Sequence, residues 1–403
     1  MLPTGDTPSP DGSSPDPIPD PIPDPRPPGP EGPDDGAPST GPSTGRGPSH
    51  PWRWITGMLV IGFAIAGFGS AFVRIPYYTV APGSVRPTQS RIEISGAPSF
   101  ESEGQIDFLT VSLRPATALE GLVGWLDPGV EVVDEELILG DRDADENRHV
   151  NQRLMTDAKQ IATYVALTEL GYSVTVEGTG ATVVAVGEGT PAEGVLEPGD
   201  TIVAVDGSPI LLAGELVDAI GAHAPGDTVS LDVEPPDGGE TRTVDVTLAE
   251  REEDPSRALL GVSTQTRDER YEFPVTVTVD TGTVGGPSAG LALTLGILDR
   301  MTPGELTGGL DVAVTGTISP DGVVGPVGGV PQKVVAARRA GADLMIVPVE
   351  EYEDAVAQAG DLRIEKAATL DEALDLLEQV GGGIDPASGG EQASGPTTTT
   401  QGD

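Results

Sequence analysis

Twenty residues without a charge, Trp54–Val73 (WITGMLVIGFAIAGFGSAFV), lie near the start of the chain and constrain everything on either side of them. A uniformly apolar run of that length matches the ~20 helical residues that cross a ~30 Å hydrocarbon layer. Trp52, Trp54, Tyr77 and Tyr78 flank it as interfacial aromatics do. About 50 polar residues precede it, which argues against a cleaved signal peptide. The expectation is a transmembrane helix over residues 51–74 and a single-pass anchor in the cell membrane. Gly62, Ala66 and Ser70 form a small-residue row suited to helix packing. Arg46 and Arg53 precede the run while Arg74, Arg86 and Arg91 follow it, so charge alone does not orient it.

Residues 1–50 hold 16 of the 39 prolines and eight acidic residues, with too little apolar surface to form a core. A disordered head is expected there, and a disordered tail over residues 381–403. The formal net charge of -42 excludes a nucleic-acid binder, which needs clustered Lys and Arg. The chain has no cysteine, so disulfides, thiol nucleophiles and Cys-ligated zinc are excluded. No cofactor and no metal site is expected.

From about residue 75 the pattern turns globular. RIEISG and QIDFLTVSL alternate as strands do. MTDAKQIATYVALTELG sets Ala158, Ile161, Ala162, Val165 and Ala166 on one helical stripe, with Thr156 or Asp157 as its cap. Residues 75–174 are thus an α+β region. TVVAVGEGTPAEGVLEPGDTIVAVDGSPI follows, then the helix-like ELVDAIGAH and the strand-like DTVSLDVEPP and TRTVDVTLAE. Turns at Gly-Thr-Pro-Ala, Pro-Gly-Asp and Asp-Gly punctuate this small β-rich module. It resembles a PDZ domain through GTPAEGVLEPGDTIVAVDG, over residues 175–250. The resemblance implies a groove that adds an extended peptide to a sheet edge beside a helix near Glu215–His223. Gly171–Val174 is the candidate for the loop that captures a peptide carboxylate.

FPVTVTVDTGTVGGPSAGLALTLGILDRM reads as strand, glycine turn and apolar helix, with Pro287 in the first helical turn. Ser288 falls at the helix start, where free amides and the positive dipole end can hold an oxyanion. The G-x-S-x-G spelling also fits an ordinary glycine turn with Ser288 as a cap. A nucleophilic serine needs a base, and no histidine follows Ser288. His50 lies in the head, His149 in the charged DRDADENRHVN and His223 in the PDZ-like module. Lysine is left. There are three, Lys159, Lys333 and Lys366. Lys333 sits in the first turn of a helix beginning near Pro331, beside Val330, Val334 and Val335. Burial and the helix end would both lower its pKa, and a neutral lysine can act as a base. The alternative is a solvated surface lysine.

Residues 251–380 resemble the proteolytic domain of Lon proteases, through GPSAG at 286–290, AVTGTI at 313–318 and GPVGGVPQKVVAARRAG at 325–341. The resemblance implies Ser288 as nucleophile, Lys333 as general base of a Ser-Lys dyad, and Thr315 as the threonine bonded to that lysine. Gly285 stands where ATP-dependent Lon enzymes usually carry an acidic residue, and Pro331 replaces the first lysine of GG-x-K-x-K. No lysine follows a glycine, so a P-loop is absent and ATP use is not expected. With IPYYTVAPGSV after the apolar run, the whole is similar to the Lon-like, PDZ-containing membrane proteases. That resemblance implies an extracytoplasmic catalytic domain and, by analogy with Lon rings, a homo-oligomer.

The expected fold class is multidomain α+β: one transmembrane helix, a β-rich PDZ-like module and a Lon-type α+β proteolytic domain. The expected function is a membrane-anchored, ATP-independent serine endopeptidase acting on unfolded or extended polypeptides. The alternative is a non-catalytic membrane-tethered PDZ scaffold with a relic protease domain. Acyl transfer or ester hydrolysis by the same dyad is a third reading.

Overall fold

The computed structural model describes residues 51–127, 129–251 and 254–384. The expected disordered head lies outside them, as does the tail beyond Ile384. The chain divides into two units, residues 1–60 and 61–403. Helix α1 (Pro51–Ser70) covers the apolar run only in part. Residues 54–70 of that run are helical, about 26 Å at ~1.5 Å per residue, against a ~30 Å hydrocarbon layer. A turn follows at Ala71–Phe72, held by amide bonds from both residues back to Phe68 and Gly69. Among the described residues no helix is long and apolar enough to cross a membrane. The expected transmembrane helix, the membrane anchor and the cell-membrane location built on it are therefore overturned.

Strands β1 (Arg74–Pro87), β2 (Ile92–Ser95) and β3 (Gln105–Thr117) are followed by α2 (Ala118–Leu126), β4 (Glu131–Asp134) and α3 (Glu135–Leu139). The long α4 (Ala144–Glu169) begins well before the expected cap at Thr156–Asp157. Asp143 caps it instead, its carboxylate accepting from the amides of Asp145 and Glu146. His149, expected in a loop, is therefore an exposed helical residue.

Next come β5 (Thr175–Glu177), β6 (Ala181–Val186), β7 (Thr201–Val205), β8 (Ser208–Pro209), α5 (Ala213–Gly221), β9 (Thr228–Glu234), β10 (Arg242–Thr247), β11 (Ala249–Glu250), β12 (Ala258–Leu259) and β13 (Val262–Thr266). The sheet order β10-β9-β7-β6-β13 leaves one side of β13 unpaired. It closes over its own core of Val183, Ile202, Leu216, Val229, Leu231 and Val233. The sheet takes its last strand from beyond residue 250.

Then β14 (Arg270–Glu272) pairs antiparallel with β5, Glu177 opposite Arg270 and Thr175 opposite Glu272. The PDZ-like module is thus joined through a two-stranded ribbon. The chain continues through β15 (Thr276–Val279), α6 (Gly290–Met301), β16 (Gly304–Glu305), β17 (Asp311–Val314), β18 (Thr317–Ile318), β19 (Val324–Gly325) and α7 (Val330–Ala340). It ends in β20 (Leu344–Pro348), α8 (Tyr352–Gln358), β21 (Arg363–Ala367), α9 (Leu370–Gln379) and β22 (Gly383–Ile384).

The second sheet has the order β21-β20-β17-β3-β1-β4, so it combines strands from both sides of the PDZ-like insert. β3, β17, β20 and β21 run parallel, while β1 and β4 add antiparallel. The period-two alternation sorts their side chains onto two faces. Ile106, Phe108, Val312, Val314, Leu344 and Ile346 pack on one face in a core with residues of α4, α6 and α9. Leu109, Ala313, Met345 and Val347 pack on the other with residues of α7 and α8. Strands covered on both faces read as continuous apolar runs, which is why all five residues of LMIVP are buried.

Candidate active site

Ser288 stands in the turn between Val279, the end of β15, and Gly290, the start of α6. The helix begins after Pro287 and Ser288, later than expected, because the Ser288 carbonyl is held elsewhere. It accepts the Gly316 amide at 3.1 Å and the Thr315 hydroxyl at 3.2 Å. The amides of Ser288 and Ala289 have no acceptor among the described residues. Two free donors therefore lie at the N-terminus of a twelve-residue helix.

Lys333 is 1 % exposed. It sits in the first turn of α7, its amide bonded to the Gly329 carbonyl. Its Nζ donates to Thr315 Oγ1 at 3.0 Å. Burial brings its pKa down to about 8, and the nearby Glu351 carboxylate partly opposes that. The N-terminal end of α7 works in the same direction as burial. Thr315 accepts from the amine and donates to the Ser288 carbonyl, so one hydroxyl links the two segments. Among the described residues no hydrogen bond joins Ser288 Oγ to Lys333 Nζ. Both line one cavity of about 800 Å³. A neutral amine with one N–H committed to Thr315 retains a lone pair able to take a hydroxyl proton.

One wall of the cavity is apolar, with Val80, Leu109, Val111, Val133, Leu139 and Met155. The amide side chains of Asn147, Asn151 and Gln152 of α4 also line it. The Gly286 amide donates to the Asn151 carbonyl at 2.8 Å, which ties the Ser288 turn to that helix. A Cβ on Gly285 would stand 2.9 Å from Asn151 Cβ and 3.2 Å from its carbonyl carbon. Glycine at 285 is what this contact requires. α4 was not assigned to the site from sequence, because its cavity-facing amides lie outside every motif. The Asp143 cap was the one signal that the helix reached this far.

The PDZ-like groove also differs from expectation. Gly171–Val174 ends α4, the Tyr172 amide bonding the Leu167 carbonyl, and Tyr172 and Val174 pack against the proteolytic core. Beside α5, the helix expected near Glu215–His223, lies a hollow of about 80 Å³ lined by Leu216, Ile220, Leu260, Gly261, Val262, Arg251 and Arg257. Gly261 has φ +88° and its Cβ would meet Thr190 at 2.1 Å, so only glycine makes this turn. ALLGV before a strand was the sequence signal.

Comparison with known proteins separates the same two modules, although its bounds assign residues 168–174 to the PDZ match and β13 to the Lon match. Residues 168–248 match the PDZ domain, and residues 261–378 match the Lon protease (S16) C-terminal proteolytic domain. Lon protease 2 of Bacillus subtilis is 34% identical over 120 residues, covering 29% of this chain and 20% of that protein. The peroxisomal Lon protease homolog 2 of Caenorhabditis elegans is 38% identical over 90 residues, 22% of this chain and 11% of that one. The chain thus spans a fifth or less of the length of these relatives. A crystal structure of the PDZ domain of the SdrC-like protein from Listeria monocytogenes is 26% identical, covering 21% of this chain and 87% of that one, with a TM-score of 0.20. Residues 261–378 are thus similar to the proteolytic domain of Lon proteases, and residues 168–248 to a PDZ domain.

Proposed function

We propose that the protein is an ATP-independent serine endopeptidase in which Ser288 and Lys333 form the catalytic dyad and Thr315 orients the lysine. The supporting observation is a fully buried lysine, bonded to Thr315, in the same cavity as Ser288. Lys333 in its neutral form takes the Ser288 Oγ proton as Oγ bonds to the scissile carbonyl carbon. The Ser288 and Ala289 amides receive the developing oxyanion. The C–N bond then breaks, the leaving amine takes the proton from Lys333, and an ester to Ser288 remains. Lys333 next deprotonates water, which attacks the ester and releases the acid, and the proton returns to Ser288.

Substrate is an extended polypeptide, with apolar side chains against the Val80–Leu109 wall. The PDZ-like groove takes a second stretch of chain as an added strand on the free side of β13. Its apolar floor fits a small apolar side chain, and Arg251 and Arg257 favour an anionic end. The Lon resemblance also carries a homo-oligomer into this reading, and sizing at working concentration tests it; a monomer would remove it.

The deciding experiment is cleavage of an unfolded protein and of short peptides, with and without ATP and magnesium. Ser288→Ala and Lys333→Arg should each abolish turnover, and wild-type rates should not change with nucleotide. Turnover that survives either substitution overturns the dyad, and turnover that requires ATP overturns ATP independence.

A further inference from the structure

We propose that the hollow between the start of α7 and α8 is a subsite for a cationic side chain, lysine or arginine, of the bound polypeptide. This rests on the proteolytic reading above. The hollow, of about 480 Å³, is lined by the carboxylates Glu131, Glu351 and Asp354 together with Gln332, Gln358 and Gly329. Glu131 and Gly329 also line the catalytic cavity, so a chain lying across Ser288 passes its mouth.

Carboxylates alone would say little in so acidic a chain. The second observation is that acceptors here are buried and empty-handed. Gln332 is 3 % exposed and its Oε1 has no hydrogen-bond partner. Glu351 Oε2 is buried and likewise without a donor, while Oε1 is anchored by the Val327 amide at 3.4 Å. A buried acceptor left unpaired loses its hydration without compensation, and native proteins keep few of them. Two such acceptors on one hollow call for a donor with several N–H groups.

The protein's own cations do not supply it. No basic side chain lines the hollow. The Lys333 amine is near enough to feel the Glu351 charge but donates its hydrogen bond to Thr315, Arg338 bonds the Gln358 carbonyl, and Lys366 lies over the Tyr352 ring. A metal ion fits poorly, since among the described residues no three carboxylates or histidines are grouped to hold one. A lysine ammonium carries three donors on a flexible stem, and an arginine offers five, enough for Gln332 Oε1, Glu351 Oε2 and a further carboxylate. A glutamate at the same substrate position meets three like charges and is disfavoured.

The test uses the full chain and a set of peptides differing at one residue, lysine, norleucine or glutamate, placed in turn at each position around the scissile bond. At one position lysine should exceed norleucine in kcat/KM by about threefold or more, since Glu351 is half-buried while Glu131 and Asp354 are exposed, and glutamate should be worst. Glu351→Gln and, separately, Asp354→Asn should bring the lysine-to-norleucine ratio toward one. The same peptides are bound to the Ser288→Ala chain by fluorescence anisotropy, so the subsite is judged without catalysis. Equal binding of lysine and norleucine peptides at every position overturns the subsite, whether or not cleavage occurs. Lysine-selective binding lost in Glu351→Gln, with no cleavage by the wild type, keeps the subsite and overturns the proteolytic reading. Lysine selectivity unchanged in both acidic variants overturns the assignment to this hollow. Calcium that raises Tm and abolishes lysine selectivity at millimolar concentration reassigns the hollow to a metal ion and overturns the proposal as well.

Discussion

At the residue scale, the proposed chemistry depends on how one lysine is held. Lys333 is lowered to about 8 by burial, with Glu351 pulling the other way. If it acts as base, kcat/KM rises with pH and levels off above about 8. Glu351→Gln removes the opposing charge, so the rise should move to lower pH; a pH–rate profile of the two proteins checks this, and a shift upward would contradict it. Stability follows from the same residue. Its folded pKa of about 8 lies below the ordinary ~10.4, so between these values the unfolded chain binds the extra proton and stability rises with pH. Replacing it with an apolar isostere removes a buried amine that costs about 3 kcal/mol at neutral pH. Lys333→Met should therefore raise Tm by several degrees while abolishing cleavage, and calorimetry beside an activity assay reads both. Ser288, Thr315 and Lys333 could be proposed from the sequence because each sits in a short motif. Asn151 was not, since its contribution is a main-chain carbonyl that any residue supplies.

At the element scale, α4 is the part of the candidate site that motif reading passed over. Its Asn151 carbonyl holds Gly286, and Gly285 packs directly on it. Gly285→Ala puts a methyl group into the helix and must displace the turn that carries Ser288. A misplacement of about 1 Å can cost on the order of 10²-fold. We expect kcat to fall at least tenfold with a smaller change in KM and a circular dichroism spectrum like that of wild type. An unchanged kcat would mean that the turn and helix move together without consequence. Strand and helix types in this half followed from period and caps, whereas their ends did not. α6 starts at Gly290 because the Ser288 carbonyl is taken by Thr315 and Gly316. α1 stops at Ser70 although the apolar run continues to Val73.

At the scale of the whole molecule, the PDZ-like module leaves and returns through adjacent strands, β5 and β14. Tyr271 on the returning strand packs against Tyr164 of α4 and stacks on Phe273, with centroid distances of 5.2 and 5.8 Å. Joining Glu177 to Arg270 through a two-residue turn should remove the module and leave the six-stranded sheet intact. The excised protein should cleave short peptides at close to the wild-type rate, while KM for an unfolded protein rises several-fold. Loss of short-peptide cleavage in a folded excision variant would show that the module is needed for the site itself. The sequence by itself determined the similarity to two domain types and the net charge of -42, and it singled out the three residues proposed for the chemistry. Those are carried by local patterns of glycine, charge and apolar period. Only the tertiary structure decided that residues 74–134 share a sheet with β17, β20 and β21, that α4 lines the Ser288 cavity, and that Leu260–Val262 line a hollow with α5. The physical reason is that strand pairing, and close approach between segments tens to hundreds of residues apart, leave no mark in the local pattern of either segment.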